Sequence, residues 1–225
     1  MNTYLDGEGG VFMEKSYTKI YTTGATVPLK IRPGHFATNH AHINYYIDVT
    51  TLKARTKEAE EVAQALVGMY LYDTVIDTIV CMEGTEVIGA ILAEELAKGG
   101  FLSTNAHKSI YVISPEFNNN SQIIFRDNLI PMIRDKHVMI LMASVTTGRT
   151  LNKAVESIQY YGGILQGASA IFSAMDSLDG VPIKSVFGKK DLPDYTYSDY
   201  RDCPLCKAGK KIDALVNTFG YSPMG

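Results

Sequence analysis

Tryptophan is absent and cysteine is scarce, with three in 225 residues. Three cysteines cannot form a disulfide framework in a chain this long, so the fold must rest on a hydrophobic core. A surplus of positive charge is also missing. The 21 Lys and Arg residues face 24 Asp and Glu, a formal net charge of −3, which excludes the non-specific phosphate attraction on which nucleic-acid binding relies. Apolar stretches such as Ala65 to Tyr72 fall far short of the ~18 residues a membrane span needs. The opening MNTYLDGEGGVFMEK is acidic and lacks the basic-then-apolar order of a signal peptide; the cytoplasm is the expected compartment. What is present is ordinary: 46% hydrophobic and 20% charged residues, enough for a full core and too apolar for disorder. One domain is expected over residues 1–225, with about 1–45 as an N-terminal element and about 188–225 as a C-terminal extension.

Between these ends two kinds of segment alternate. Thr56 to Tyr72 repeats apolar residues at i, i+3, i+4 (Ala59, Val62, Ala63, Leu66, Met69, Tyr70), the stripe of a helix, with Thr56 placed to cap it. Thr85 to Lys98 has Val87, Ile88, Ile91, Leu92 and Leu96 on one face before Gly99-Gly100, and Gly148 to Tyr161 has Leu151, Ala154, Val155 and Ile158 before Gly162-Gly163. The short β-branched runs Val75 to Met82, Ser109 to Ile113 and Val138 to Met142 read as buried strands, with Ile164 to Ala174 and Val181 to Phe187 as further ones. This alternation implies an α/β fold, a parallel sheet flanked by helices. In such sheets ligands bind beyond the C-terminal strand ends, here Cys81 to Glu86, Ser114 onward and Ala143 to Thr150.

Val138 to Leu151, VMILMASVTTGRTL, carries the most information. A strand enters a turn of threonines and glycine that opens a helix. Backbone N–H groups, hydroxyls and the positive helix end then converge on one point, a geometry suited to phosphate. An ordinary strand-to-helix turn capped by Thr146 or Thr147 fits the same residues. Cys203 and Cys206 have the spacing of half a zinc site, but Cys81 lies in a predicted strand and no His follows residue 137, so reduced, packed thiols are expected and no metal ligands are assigned. His35, His40 and His42 are expected in a hydrogen-bonded loop, with His40 or His42 touching a nucleobase as the second choice. Glu86 falls in a first helical turn, where its charge is favoured by the dipole. Tyr195, Tyr197 and Tyr200 are expected to pack against the domain.

Thr146-Thr147-Gly148-Arg149-Thr150 after a buried strand resembles the 5′-phosphate loop of type I phosphoribosyltransferases. Gly34-His35-Phe36, His42 and Tyr46-Ile47-Asp48 resemble the N-terminal element of orotate phosphoribosyltransferases. Cys81 to Gly89 sits where that family keeps its pyrophosphate loop, and Cys203 to Gly209 is similar to a C-terminal segment of some orotate enzymes. The resemblance implies a type I phosphoribosyltransferase-like fold, a cytoplasmic homodimer, magnesium as cofactor, and transfer of phosphoribosyl from phosphoribosyl pyrophosphate to a nucleobase in pyrimidine nucleotide metabolism. By position, it implies that Ser144, Val145, Thr146, Thr147, Gly148, Arg149 and Thr150 hold the 5′-phosphate. Met82, Glu83, Gly84 and Thr85 would flank the pyrophosphate, and Thr38, Asn39, His40 and His42 would lie on the base side. No catalytic residue is assigned.

Three departures bear on activity. The two acidic residues that should precede the phosphate loop are Met142 and Ala143, which offer no polar side chain to ribose hydroxyls. The stretch matching the mobile catalytic loop, Ser114 to Phe125, contains no Lys, Arg or His to neutralise a departing pyrophosphate, leaving Lys108, Arg126, Arg149 and Lys153 as cations that could approach the site instead. Asn39-His40 replaces the Ser-Gly of the N-terminal element. Two functions therefore stand side by side: an orotate-type phosphoribosyltransferase, and a non-catalytic protein that binds a nucleoside monophosphate or phosphoribosyl compound.

Overall fold

The computed structural model describes residues 17–98, 103–106 and 108–224; the predicted helix stop at Gly99-Gly100 and the N-terminal segment 1–16 lie outside the described residues. In chain order the elements are β1 (Thr18–Ile20), β2 (Leu29–Ala37), β3 (His42–Asp48), α1 (Thr50–Ala54), α2 (Thr56–Val67), β4 (Thr78–Cys81), α3 (Glu86–Lys98) and β5 (Tyr111–Ile113). The short β6 (Glu116–Phe117) and β7 (Ile123–Ile124) precede β8 (His137–Val145), α4 (Arg149–Tyr160) and β9 (Ile164–Ser173). Then come β10 (Ser177–Leu178), β11 (Val181–Gly188), β12 (Tyr197–Ser198), α5 (Pro204–Lys207), β13 (Ala214–Asn217) and β14 (Gly220–Pro223).

The expected parallel sheet is present. Its order is β10-β11-β9-β8-β4-β5, parallel throughout except for β10 at the edge. Strand β8 is buried on both faces because every second residue serves a different core. Met139 and Leu141 join α2 and α3, through Val62, Leu66, Ile88 and Leu92. Val138, Ile140 and Met142 join α4, through Leu151, Ala154 and Ile158.

The described parts of the terminal regions, where the strand–helix alternation fades, are not irregular. They form a second sheet, β12-β3-β2-β13-β14, with β1 paired to the start of β2 at Leu29–Ile31. The N-terminal strands β2 and β3 are antiparallel, and β13 joins β2 in parallel after a separation of nearly the whole chain. Helix α2 is shorter than the apolar stripe suggested. It ends at Val67, and Thr56 is its first residue rather than its cap, since Arg55 occupies the N-cap with no side-chain hydrogen bond. The stripe persists past the helix because Tyr70 is pinned into the core, its hydroxyl 2.5 Å from Ser169 Oγ.

Candidate functional site

A cleft of about 200 Å³ opens where the C-terminal ends of β4 and β8 meet the second sheet. The turn after β8 forms one wall. Its residues Ser144 to Thr150 all line the cleft, and Gly148 is the N-cap of α4 with φ +75°, the left-handed region glycine favours. A Cβ there would also come within 2.7 Å of Leu178 Cδ2, so space and backbone both select glycine. No side chain caps α4; the Thr147 hydroxyl accepts the Arg149 N–H only at 3.5 Å. The Thr146 hydroxyl is 3.0 Å from the Tyr195 hydroxyl. Tyr195 packs its ring against Phe172, as a packing role required, and burial pushes its phenol up to about 12. An uncapped helix start, flanked by threonine hydroxyls and Arg149, is suited in geometry and charge to an anion.

The facing wall holds a cation that sequence reasoning missed. Lys53, at the end of α1, donates from Nζ to the Glu83 carbonyl at 2.6 Å and the Thr218 carbonyl at 3.2 Å. Burial lowers its pKa, against the upward pull of Glu83, Glu86 and Asp48. Glu83 and Gly84 form the turn after β4 with successive positive φ angles of 60° and 79°. That conformation is unusual for a glutamate, and it turns the Glu83 carboxylate inward. Its Oε2 accepts the Ser144 N–H at 3.3 Å, and the Ala143 N–H also points to it. Burial raises the pKa of this carboxyl, opposed by those N–H groups and by Lys53. A carboxylate from the turn after β4 therefore lies against the backbone of Ala143 and Ser144, beside the positions where Met142 and Ala143 offer none.

Of the four residues expected beside a pyrophosphate, Glu83 alone lines the cleft. Met82 is in the α4 core, Gly84 lies behind Lys53, and the buried Thr85 hydroxyl is held by the Met82 and Leu141 carbonyls. On the base side Thr38, Asn39 and His40 line the cleft. Burial lowers the pKa of His40, and the charges of Arg149 and Lys153 lower it further, opposed by a backbone hydrogen bond at Asn39. His42 is elsewhere: its ring meets His35 and Cys206. Of the four cations expected to approach the site, Arg149 lines the cleft. Lys108 pairs with Asp77, Arg126 with Glu116, and Lys153 donates to the Ser121 carbonyl. The Ser114 to Phe125 stretch folds into the β6–β7 hairpin with Asn118 at its turn. No helix among the described residues is long and apolar enough to cross a membrane.

A scan against models of protein families gives no match, and a search of curated proteins gives none. Solved structures do match. A phosphoribosyltransferase from Corynebacterium diphtheriae superposes with a TM-score of 0.51 at 14% identity, over 72% of this chain and 90% of that one. The UMP synthase of Leishmania donovani superposes with a TM-score of 0.52 at 18% identity, over 72% of this chain and 34% of that one. At such identities the likeness is one of fold: the chain has a phosphoribosyltransferase-like α/β fold.

Proposed function

We propose that this cleft binds phosphoribosyl pyrophosphate and that the protein is an orotate-type phosphoribosyltransferase, a cytoplasmic homodimer acting in pyrimidine nucleotide metabolism. The observation that carries the reading is the pairing of two cationic ends in one cleft: the phosphate loop Thr146–Thr150 on one wall and Lys53 beside the Glu83–Gly84 turn on the other. A ligand with a 5′-phosphate and a pyrophosphate on one ribose has anionic groups at both ends. The fold shared with a phosphoribosyltransferase and with a UMP synthase supports the same reading.

The residues divide the work as follows. The α4 N-terminus and the threonine hydroxyls fix the 5′-phosphate, which orients the ribose. Glu83 supplies the acceptor for a ribose hydroxyl that Met142 and Ala143 lack. Lys53 faces the pyrophosphate, whose negative charge grows as its bond to C1 breaks and the ribose becomes oxocarbenium-like; a fixed cation there lowers the barrier. The incoming ring nitrogen approaches from the side of Thr38, Asn39 and His40. Magnesium prefers one or two carboxylates together with phosphate oxygens. The cleft lining offers one carboxylate, Glu83, already engaged by backbone N–H groups, so the donor set fits a protein-held magnesium poorly and no step is drawn through it.

A second reading is a binding protein without turnover. It is favoured by the side chains of Met142 and Ala143, 1% and 5% exposed, which leave Glu83 as the sole replacement for an acidic pair. Calorimetric titration with phosphoribosyl pyrophosphate, orotidine monophosphate and uridine monophosphate, followed by an assay of pyrophosphate release with orotate, separates the two. Binding with release is the expected result. Monophosphate binding without release supports the second reading, and no binding of any of the three sinks both. Thr147→Ala should weaken each binding ligand about 10-fold or more, the loss of a hydrogen bond to a charged group.

A further inference from the structure

His35, His42, Cys203 and Cys206 bring four donor atoms within 4.8 Å of one another. The halves come from opposite ends of the chain. His35 and His42 lie on β2 and β3, and the two cysteines bracket the Pro204 turn that opens α5. We propose that this cluster is a structural zinc site of the Cys2His2 type, a proposal independent of the function assigned to the cleft.

Four of the six donor–donor distances are close to the edges of a zinc tetrahedron. With Zn–N near 2.05 Å and Zn–S near 2.3 Å, tetrahedral edges are about 3.3 Å between two nitrogens, 3.6 Å between nitrogen and sulfur, and 3.8 Å between two sulfurs. His35 Nε2 and His42 Nδ1 are 3.1 Å apart. Cys203 Sγ and Cys206 Sγ lie 3.5 and 3.7 Å from His35 Nε2, and Cys206 Sγ lies 3.3 Å from His42 Nδ1. The surroundings suit ligation as well. His35 Nδ1 is 2.8 Å from the Lys210 carbonyl, an acceptor only, so Nδ1 carries the proton and the Nε2 lone pair faces the cluster, the usual outer support of a zinc-bound imidazole. The Cys203 sulfur faces the backbone N–H groups of Leu205 and Cys206, donors that stabilise a thiolate. A donor set of two nitrogens and two sulfurs selects zinc among common divalent ions, and four protein ligands leave no open position for catalysis.

The site has a clear structural consequence. It ties the segment after β12 to the β2–β3 hairpin, and the loop between its two histidines carries Thr38, Asn39 and His40 into the cleft. The metal would thus fix the base-side wall.

The test is metal analysis of the full chain purified without chelator, then removal of metal under reducing conditions and titration with cobalt(II). About one zinc per chain is expected. The cobalt form should show the d–d absorption of tetrahedral coordination and a thiolate-to-cobalt charge-transfer band. Cys206→Ser should remove the zinc and weaken that band, and Cys81→Ala should leave both unchanged. A reduced, folded chain that neither holds zinc nor gives the charge-transfer band overturns the proposal. So does zinc that survives Cys206→Ser at full stoichiometry. Should Cys206→Ser fail to fold, the cobalt spectrum of the unaltered chain decides alone.

Discussion

Lys53 is one residue on whose charge the proposed binding of phosphoribosyl pyrophosphate depends. It is half-buried, its pKa held below that of an ordinary lysine by burial, and its ammonium donates to carbonyls of two separate turns. A bound pyrophosphate favours the charged form, so the pKa of Lys53 is higher in the complex than in the free protein. Affinity is therefore full below the free-state pKa and declines as pH rises through it, beginning at a lower pH than an ordinary lysine would give. Lys53→Met should weaken phosphoribosyl pyrophosphate about 10- to 100-fold and flatten this alkaline decline, while affinity for a nucleoside monophosphate, which engages the opposite wall, changes little. Calorimetry across a pH series reads both effects, and an unaltered pH profile in Lys53→Met would rule Lys53 out. Nothing in the sequence marks this lysine. It lies near the end of a five-residue helix, and its partners Glu83 and Thr218 are 30 and 165 positions away. The turn from Ser144 to Thr150, by contrast, is legible as a strand-to-helix turn because strand, threonines, glycine and helix are contiguous.

At the scale of elements, β8 decides what the missing acidic pair means. Its period of two turns Met142 towards α4, beside Ile140 and Leu151, and leaves Ala143 outside that core, although both positions border the cleft. Restoring an acid at the first position should therefore damage the fold. Met142→Glu buries an unpaired charge and should cost about 3 kcal/mol or more, a melting temperature lower by about 6–12 °C. Ala143→Asp, at the cleft, should cost much less. Equal thermal shifts for the two variants would mean that the strand faces are misassigned. The opposite ends of these strands carry a different device. The Asp77 carboxylate accepts the His137 N–H at 2.9 Å and meets His137 Nδ1 at 2.7 Å and Lys108 Nζ at 3.2 Å, joining the starts of β4 and β8. Burial would raise this carboxyl, but the His137 and Lys108 contacts outweigh it and hold it at about 2. A depressed folded-state pKa stabilises above the unfolded value near 4 and is lost as pH falls towards 2. Asp77→Asn should thus lower stability by about 1–2 kcal/mol at pH 7, with the difference from the unaltered chain vanishing by about pH 2 in denaturant titrations. The strands and helices of this central sheet were readable because their periodicity survives in short windows. The Asp77 network was not, because it joins residues 60 positions apart through strand register alone.

For the whole molecule, the decisive feature is a sheet made from both chain ends. A sequence pass finds no helix–strand alternation there and reads an element and an extension; the pairing of β13 with β2 across almost the full chain is invisible to any local pattern. The same closure unites His35 and His42 with Cys203 and Cys206, which is why C-x-x-C without a following histidine read as half a site. If residues 189–225 were a mere appendage, their removal would leave the phosphate loop working. The structure argues otherwise. Leu192, Tyr195 and Ala214 belong to the main core, Val216, Asn217 and Thr218 line the cleft, Thr218 holds Lys53, and Tyr195 braces Thr146. β12 and β13 also cover β3 and β2, whose bared backbone edges would otherwise invite pairing between chains. A chain ending at Gly188 should therefore melt at least about 10 °C lower or precipitate, and should bind monophosphate at least about 10-fold more weakly although every residue from Ser144 to Thr150 is retained. A truncated chain with unchanged melting temperature and unchanged monophosphate affinity would show the two sheets to be independent. The expected loss of both follows from one cause: the cleft has two walls, and the chain folds its last residues back to build the second.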